Sequence, residues 1–196
     1  MTFAQFFTNI ANAIRQYVTA SSIPAEELHY KLLNISEVPQ LSGSVTINSN
    51  PTSGAFARLD LSNVTTLTFS ASVTSIPSTV GPLYIPTSSA SVTRGGFHIV
   101  CLPSSTTVVI NNPAMTYYVP STSKINGGTY NYKFNFGDVS NLSSTYQNWF
   151  KNVTGDSKKP VTWNVTTDNS TIASYVAGLA GEYVTVNRYK LDGTSW

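Results

Sequence analysis

Charged residues and cysteine are scarce in this chain of 196 residues. Charged side chains make up 10% of it, against roughly 25% in an average soluble domain, and the formal net charge is +2. A nucleic-acid-binding protein needs a clustered basic face, so we expect no nucleic-acid partner. Cys101 is the single cysteine, which excludes an internal disulfide and a cysteine-based zinc site. Because the run 97–102 is apolar, we expect a buried thiol there.

Groups that commonly carry catalysis or bind metals are few and scattered. His29 and His98 are isolated, and only Glu26 and Glu27 among the nine acids are neighbours in sequence. The chain has no G-x-S-x-G elbow, P-loop or dinucleotide fingerprint. We therefore expect a protein that is not an enzyme, with no catalytic residue, no cofactor and no metal. A Ser-His-Asp or Cys-His site assembled across the fold is the open alternative.

Long apolar runs are also missing. No run approaches the roughly 18 residues that would argue for a bilayer-spanning helix, so we expect no membrane span. The N-terminus lacks the basic start and continuous apolar core of a signal peptide.

Serine, threonine, asparagine and aromatic residues are abundant instead. The chain has 26 Ser, 25 Thr and 17 Asn, together about a third of it, with 11 Tyr, 9 Phe and 3 Trp. Disordered chains are rich in charge and poor in aromatics, so this composition predicts a folded protein. Aromatic and β-branched residues favour half-buried strands, with serine and threonine facing water.

Residues 1–38 follow a helical pattern. Apolar residues spaced 4, 3, 4 and 3 apart predict one amphipathic helix, and Pro24 with the acids after it predicts the start of a second, which Pro39 ends. Two such short helices cannot bury a full core, so we expect residues 1–38 to be a docking or oligomerisation module, with a trimer favoured. Its contact residues would be Phe3, Phe7, Ile10, Ile14, Tyr17, Leu28, Leu32 and Ile35.

This segment resembles a helix-turn-helix module of phage virion proteins. Residues 10–15 read I-A-N-A-I-R and residues 23–28 read I-P-A-E-E-L, with further apolar positions at Leu32 and Ile35. The module reads I-A-D-A-I-R, a Lys-Thr-Gly-Thr-like turn and I-x-P-E-D-M/F, and occurs in tail, fibre and head-associated proteins. The chain departs from it at Asn12, in the turn, and in a proline shifted by one position. The resemblance is confined to positions 10–35, and it implies location in the virion and other virion proteins as partners. A small helical cap packed on a β domain fits the same residues.

Residues 39–196 are predicted to form a β-rich body. Short alternating segments, separated by Gly, Pro and Asn clusters, predict a β-sandwich or jelly roll with antiparallel strands, and a sub-boundary near 121–128. Helices are predicted at 142–153 and, less distinctly, at 172–179. Residues 58–64 and 73–77 have some resemblance to leucine-rich solenoid repeats, but no constant period spans three units.

Two features of the body bear on recognition. The alternating stripe from Tyr130 to Phe136 is predicted to be core, and the polar loops 86–96 and 155–160, with Arg94 and Lys158, are predicted to carry recognition.

The leading interpretation is a non-enzymatic virion structural protein (fibre, decoration, collar or tail component) that acts by assembly and adhesion. The alternatives are a carbohydrate- or receptor-binding module, with a host surface glycan or receptor as partner, and an archaeal virus capsid protein. Five aromatic residues distinguish these interpretations, because burial would favour the structural role and exposure would favour sugar binding. They are Tyr117, Tyr118, Tyr130, Tyr132 and Trp163.

Overall fold

The computed structural model describes residues 40–51, 60–78, 80, 84–87, 91–94, 97–100, 102–119, 125–151 and 153–196. The chain divides into two units, Met1–Val38 and Pro39–Trp196, and all described residues belong to the second. The predicted helices of residues 1–38, their eight contact residues and Cys101 therefore lie outside the described residues.

The described part is mainly β, as the sequence predicts. Its helical segments are a 3-10 helix, Ser144–Trp149, and an α-helix, α1, Ser170–Ala177. Its strands, in chain order, are β1 Gln40–Ile47, β2 Asp60–Phe69, β3 Ser75–Ile76, β4 Ser91–Arg94, β5 Phe97–Val100, β6 Thr107–Ile110, β7 Thr116–Tyr117, β8 Ile125–Asn126, β9 Gly128–Phe134, β10 Val153–Thr154, β11 Val161–Thr167 and β12 Val184–Tyr189.

The main sheet is parallel, so the expectation of antiparallel pairing is wrong. Strands β1, β2, β6, β9, β11 and β12 are neighbours in that order, and every one of these pairs is parallel. Among the described strands, only the β4–β5 pair is antiparallel. Two short parallel ladders, β3 with β7 and β8 with β10, join segments that lie between the main strands. This is a coil of successive strand-and-return turns, as in a solenoid, and not the two facing antiparallel sheets of a sandwich or jelly roll.

Unequal turns explain why the sequence shows no constant period. The register aligns Leu67, Val108, Tyr132, Val165 and Arg188 across the sheet. The intervals between successive positions in this row differ, and the step from Leu67 to Val108 is the longest of them. Each return segment has a different length, so the strands repeat in space while the sequence does not repeat at a fixed interval. The sheet also continues from β6 to β9, across residues 121–128.

The core lies between the sheet and the return segments. Inward side chains of the strands, such as Phe69 and Tyr132, belong to one hydrophobic cluster with Ile76 and Trp149 of the return segments. Trp149 is 1% exposed and stacks on Tyr117 with ring centroids 3.9 Å apart and planes 5° from parallel. The predicted burial of Tyr130, Tyr132 and Phe134 is confirmed, and Phe136 is partly buried.

Side-chain caps begin both helical segments. The Ser143 hydroxyl accepts a hydrogen bond from the Thr145 N–H, and Asn169 accepts one from the Ile172 N–H at 3.0 Å. The predicted helix 142–153 is shortened to Ser144–Trp149, because Val153–Thr154 must be extended to pair with β8. The helix predicted at 172–179 is present as α1.

The turn predicted at Asn126-Gly127-Gly128 is confirmed, and glycine is required there. Gly127 has φ +75°, and an added Cβ would lie 2.7 Å from the Cβ of Lys159. The loop predicted at 86–96, in contrast, contains β4, which pairs with β5. Its Ser- and Thr-rich composition suggested a loop, yet those residues also occur in strands with a polar face.

Candidate binding surface

The side of the main sheet that faces away from the core carries mostly hydroxyl and amide side chains. We call it the outer face; it is formed by the strand residues that alternate with the core residues. Its side chains line up in rows across neighbouring strands, which are about 4.8 Å apart. One row is Thr66, Thr107, Asn131, Asn164 and Asn187, and the row beside it is Thr68, Val109, Lys133, Thr166 and Tyr189.

Three asparagines of the outer face form a hydrogen-bonded ladder. Asn187 Nδ2 donates to Asn164 Oδ1 at 2.8 Å, and Asn164 Nδ2 donates to Asn131 Oδ1 at 2.8 Å. Asn131 Nδ2 in turn donates to the carbonyl of Ser105 at 3.2 Å. Each amide is part-exposed and fixed by its neighbours, so its remaining hydrogen-bonding groups are held in place at the surface.

A second ladder runs beside the carboxyl ends of β2, β6 and β9. Asn135 Nδ2 donates to Asn111 Oδ1 at 2.8 Å, and Asn111 Nδ2 donates to the carbonyl of Phe69 at 2.8 Å. Both asparagines share the alternation of the outer face. The two ladders thus fix the amides of this surface relative to one another and to the backbone.

Sequence analysis missed both ladders, although one signal was available. Strands β9, β11 and β12 each contain Thr-x-Asn, at 129–131, 162–164 and 185–187, with a buried or partly buried apolar residue in the middle. The register places the three threonines side by side and the three asparagines side by side. Each triplet alone is unremarkable in a chain so rich in these residues, and only the register makes the triplets neighbours.

The side chains of the outer face are suited to hydrogen bonding. Amides and hydroxyls do not titrate near neutral pH and are weak nucleophiles without a neighbouring base, so their chemistry is the donation and acceptance of hydrogen bonds. Lys133 adds a positive charge on the same face.

The two residues predicted for recognition loops differ in local structure. Lys158 lies exposed in the predicted turn 155–160, where the Asp156 carboxylate accepts hydrogen bonds from the N–H groups of Lys158 and Lys159 at 2.8 and 2.9 Å. The hydrogen bond from Asn126, together with these N–H groups, lowers the pKa of Asp156 below its ordinary value. Arg94 belongs to β4, and its side chain lies outside the described residues. Recognition through either residue stays a prediction.

Five aromatic residues distinguish a structural role from a sugar-binding one, and four of the five are buried. Tyr117, Tyr130, Tyr132 and Trp163 are at most 3% exposed, while Tyr118 is 50% exposed. Burial raises the pKa of Tyr130 to about 12 and raises the pKa of Tyr117 and Tyr132 well above the ordinary value. The predicted aromatic stripe therefore offers no platform to a ligand.

Two further searches concern only the described residues. They contain no group of three or more His, Cys, Asp or Glu side chains that could hold a metal ion. They contain no helix with the length and apolar character that crossing a membrane requires. Comparison of the chain with protein families, with curated proteins and with solved structures finds no match.

Proposed function

We propose that this chain is a non-enzymatic structural protein of a virus particle, namely a fibre, decoration, collar or tail component. Residues 1–38 would dock it to other virion proteins, and residues 39–196 would form the body that makes further contacts. The observation that carries the proposal is the outer face, where interlocked amides and hydroxyls form an ordered surface suited to assembly and adhesion. The resemblance of residues 10–35 to a phage virion module supplies the setting.

The structural side of the proposal follows from the type of fold. In a coil of strands, each turn contacts its neighbours, and the result is an extended side surface of regularly spaced groups. Low charge limits long-range repulsion between copies packed at high local concentration. Such a body suits a protein that is repeated many times in one particle.

Deletion of residues 1–38 tests whether this segment docks the chain and residues 39–196 form an independent body. Because the second unit has its own core, residues 39–196 should stay folded, with an unchanged β-type circular dichroism spectrum. In an assembly reaction with particles that lack the protein, the full chain should be incorporated and the truncated chain should not. Incorporation of both chains, or unfolding of the truncated one, would contradict the docking role.

The flanking genes offer a second test. We expect neighbours that encode portal, capsid or tail proteins of a tailed phage. Neighbours typical of an archaeal virus would favour the capsid alternative, and neighbours for metabolism alone would count against a virion role.

A carbohydrate- or receptor-binding role is the second candidate, and exposed aromatics away from the predicted stripe favour it. Tyr183, Tyr189 and Trp196 are 37%, 38% and 40% exposed, and all three belong to the last turn of the coil. This candidate is compatible with the first, because a virion component can also bind a host surface.

A further inference from the structure

The last strand, β12, has one edge that faces away from β11. Backbone groups alternate in direction along a strand, and here two contacts fix which groups face which side. The carbonyl of Tyr183 accepts from the Val161 N–H of β11 at 2.9 Å, whereas Val184 exchanges two hydrogen bonds with Gly181 on the opposite side, each 3.1 Å. The N–H and C=O of Val186 therefore also point away from β11.

Residues 190–196 return alongside this edge and cover one end of it. The Trp196 N–H donates to the carbonyl of Arg188 at 3.3 Å, and the Lys190 N–H donates to the carbonyl of Thr194 at 2.7 Å. The indole N–H of Trp196 donates to the carbonyl of Thr167 at 2.7 Å, which fixes the ring. Hydrogen bonds from the N–H and hydroxyl of Thr194 lower the pKa of Asp192 and hold the turn.

A cleft of about 240 Å³ lies between the edge and the returning segment. Val186 and Arg188 line it from the edge, Asn187 and Tyr189 from the outer face, and Trp196 from the returning segment. The amide of Asn187 is the end of the first asparagine ladder: its Nδ2 is used by Asn164, and no described residue donates to its Oδ1. Lys190 Nζ lies 5.4 Å from the centroid of the Trp196 ring.

We propose that this cleft binds one ring of a carbohydrate. A pyranose has an apolar face of C–H groups and a rim of hydroxyls, and the cleft offers a counterpart to each. The part-exposed rings of Tyr189 and Trp196 can pack against the C–H face. Asn187 Oδ1, the backbone of Val186 and the Lys190 ammonium can exchange hydrogen bonds with the hydroxyls.

The size of the cleft agrees with a ligand of this kind. Clefts for drug-sized molecules usually measure roughly 300–1,000 Å³, and this one is smaller. An added peptide strand fits less well, because the described residues leave open only the stretch of this edge from Val186 to the N–H of Arg188, between points occupied by Gly181 and Trp196. Strand addition draws its affinity from a longer row of backbone hydrogen bonds.

Nuclear magnetic resonance on the purified full-length chain tests the proposal. Trp149 and Trp163 are buried, so the indole N–H signal of Trp196 reports on the cleft while the other two serve as internal references. Methyl glycosides of glucose, galactose, mannose and N-acetylglucosamine would be titrated one at a time into the millimolar range. We expect at least one to shift the Trp196 signal saturably and to leave the reference signals in place.

Variants decide whether the shift reports binding in the cleft. Asn187→Ala and Tyr189→Ala should each weaken the binding by about tenfold or more. Tyr189→Phe, which keeps the ring, should bind nearly as the original chain does. Tyr118→Ala is the matched control, because it removes an exposed tyrosine elsewhere, and it should change nothing.

Two results would overturn the proposal. The first is no shift with any of the four glycosides, whether or not a short Thr/Val peptide produces one, and the second is unchanged binding in both alanine variants. The inference deepens the adhesive role proposed above and takes only its biological setting from it. Because the purified chain is tested, failure here is distinguishable from failure of the virion assignment, which depends on particle composition.

Discussion

Replacing Asn164 by alanine removes the middle of the first asparagine ladder. Its amide makes two hydrogen bonds of 2.8 Å, one to Asn131 and one from Asn187, and both are lost together. Each contributes a net 0.5–1.5 kcal/mol, roughly, to stability. Because the partners are part-exposed, water can satisfy them after the change. We therefore expect a loss of about 1–2 kcal/mol in the free energy of unfolding.

Urea denaturation followed by circular dichroism measures this loss directly, and the melting temperature should fall by about 2–4 °C for each kcal/mol. Asn187→Ala removes a single ladder bond and should cost about half as much. Asn164→Asp keeps the acceptor for Asn187 but not the donor to Asn131, so it should also lose a ladder bond. Thr166→Ala, on the same strand and face, is the control and should stay within about 0.5 kcal/mol. Equal costs for Asn164→Ala and the control would refute the ladder.

Three further predictions concern the core and the assembly. Trp149→Ala should cost about 3–5 kcal/mol in urea denaturation, because it empties the centre of the aromatic core; a cost under about 1 kcal/mol would contradict the stacking on Tyr117. Since burial raises the pKa of Tyr130 to about 12 from an ordinary 10.0, the contribution of this residue to stability is fully present below pH 10 and is lost as pH rises toward 12. In an alkaline titration of phenolate absorbance, the ionisation of the buried Tyr117, Tyr130 and Tyr132 should coincide with unfolding; ionisation of these three near pH 10 with the fold intact would contradict this. Light scattering should find the full chain as a trimer and residues 39–196 as a monomer, and a monomeric full chain at high micromolar concentration would contradict the oligomerisation role of residues 1–38.

The core side of the sheet could be predicted from sequence, but the direction of the strands could not. Tyr130, Tyr132 and Phe134 alternate with polar residues, and that pattern correctly predicts one buried face. Parallel sheets are usually buried on both faces, so alternation of this kind normally indicates antiparallel strands. Here a parallel sheet has a polar outer face, so its strands alternate between apolar and polar residues as the strands of an antiparallel sheet do.

The candidate sites were missed for a related reason. Asn131, Asn164 and Asn187 are far apart in sequence and lie on three different strands, and only the strand register shows that their amides meet. The cleft depends on the return of residues 190–196 beside β12, which depends on backbone hydrogen bonds that no residue pattern specifies. Propensity and alternation describe single strands, whereas these sites arise between strands.

The composition of purified virus particles tests the central claim most directly. Particles released by a culture that expresses the chain would be banded twice in a density gradient and analysed by quantitative mass spectrometry. The chain should band with the particles at a constant molar ratio to the major capsid protein through both gradients, and gold-labelled antibodies against it should decorate the particles in electron micrographs. A chain that stays in the soluble lysate and is absent from twice-banded particles would contradict the assignment to the virion.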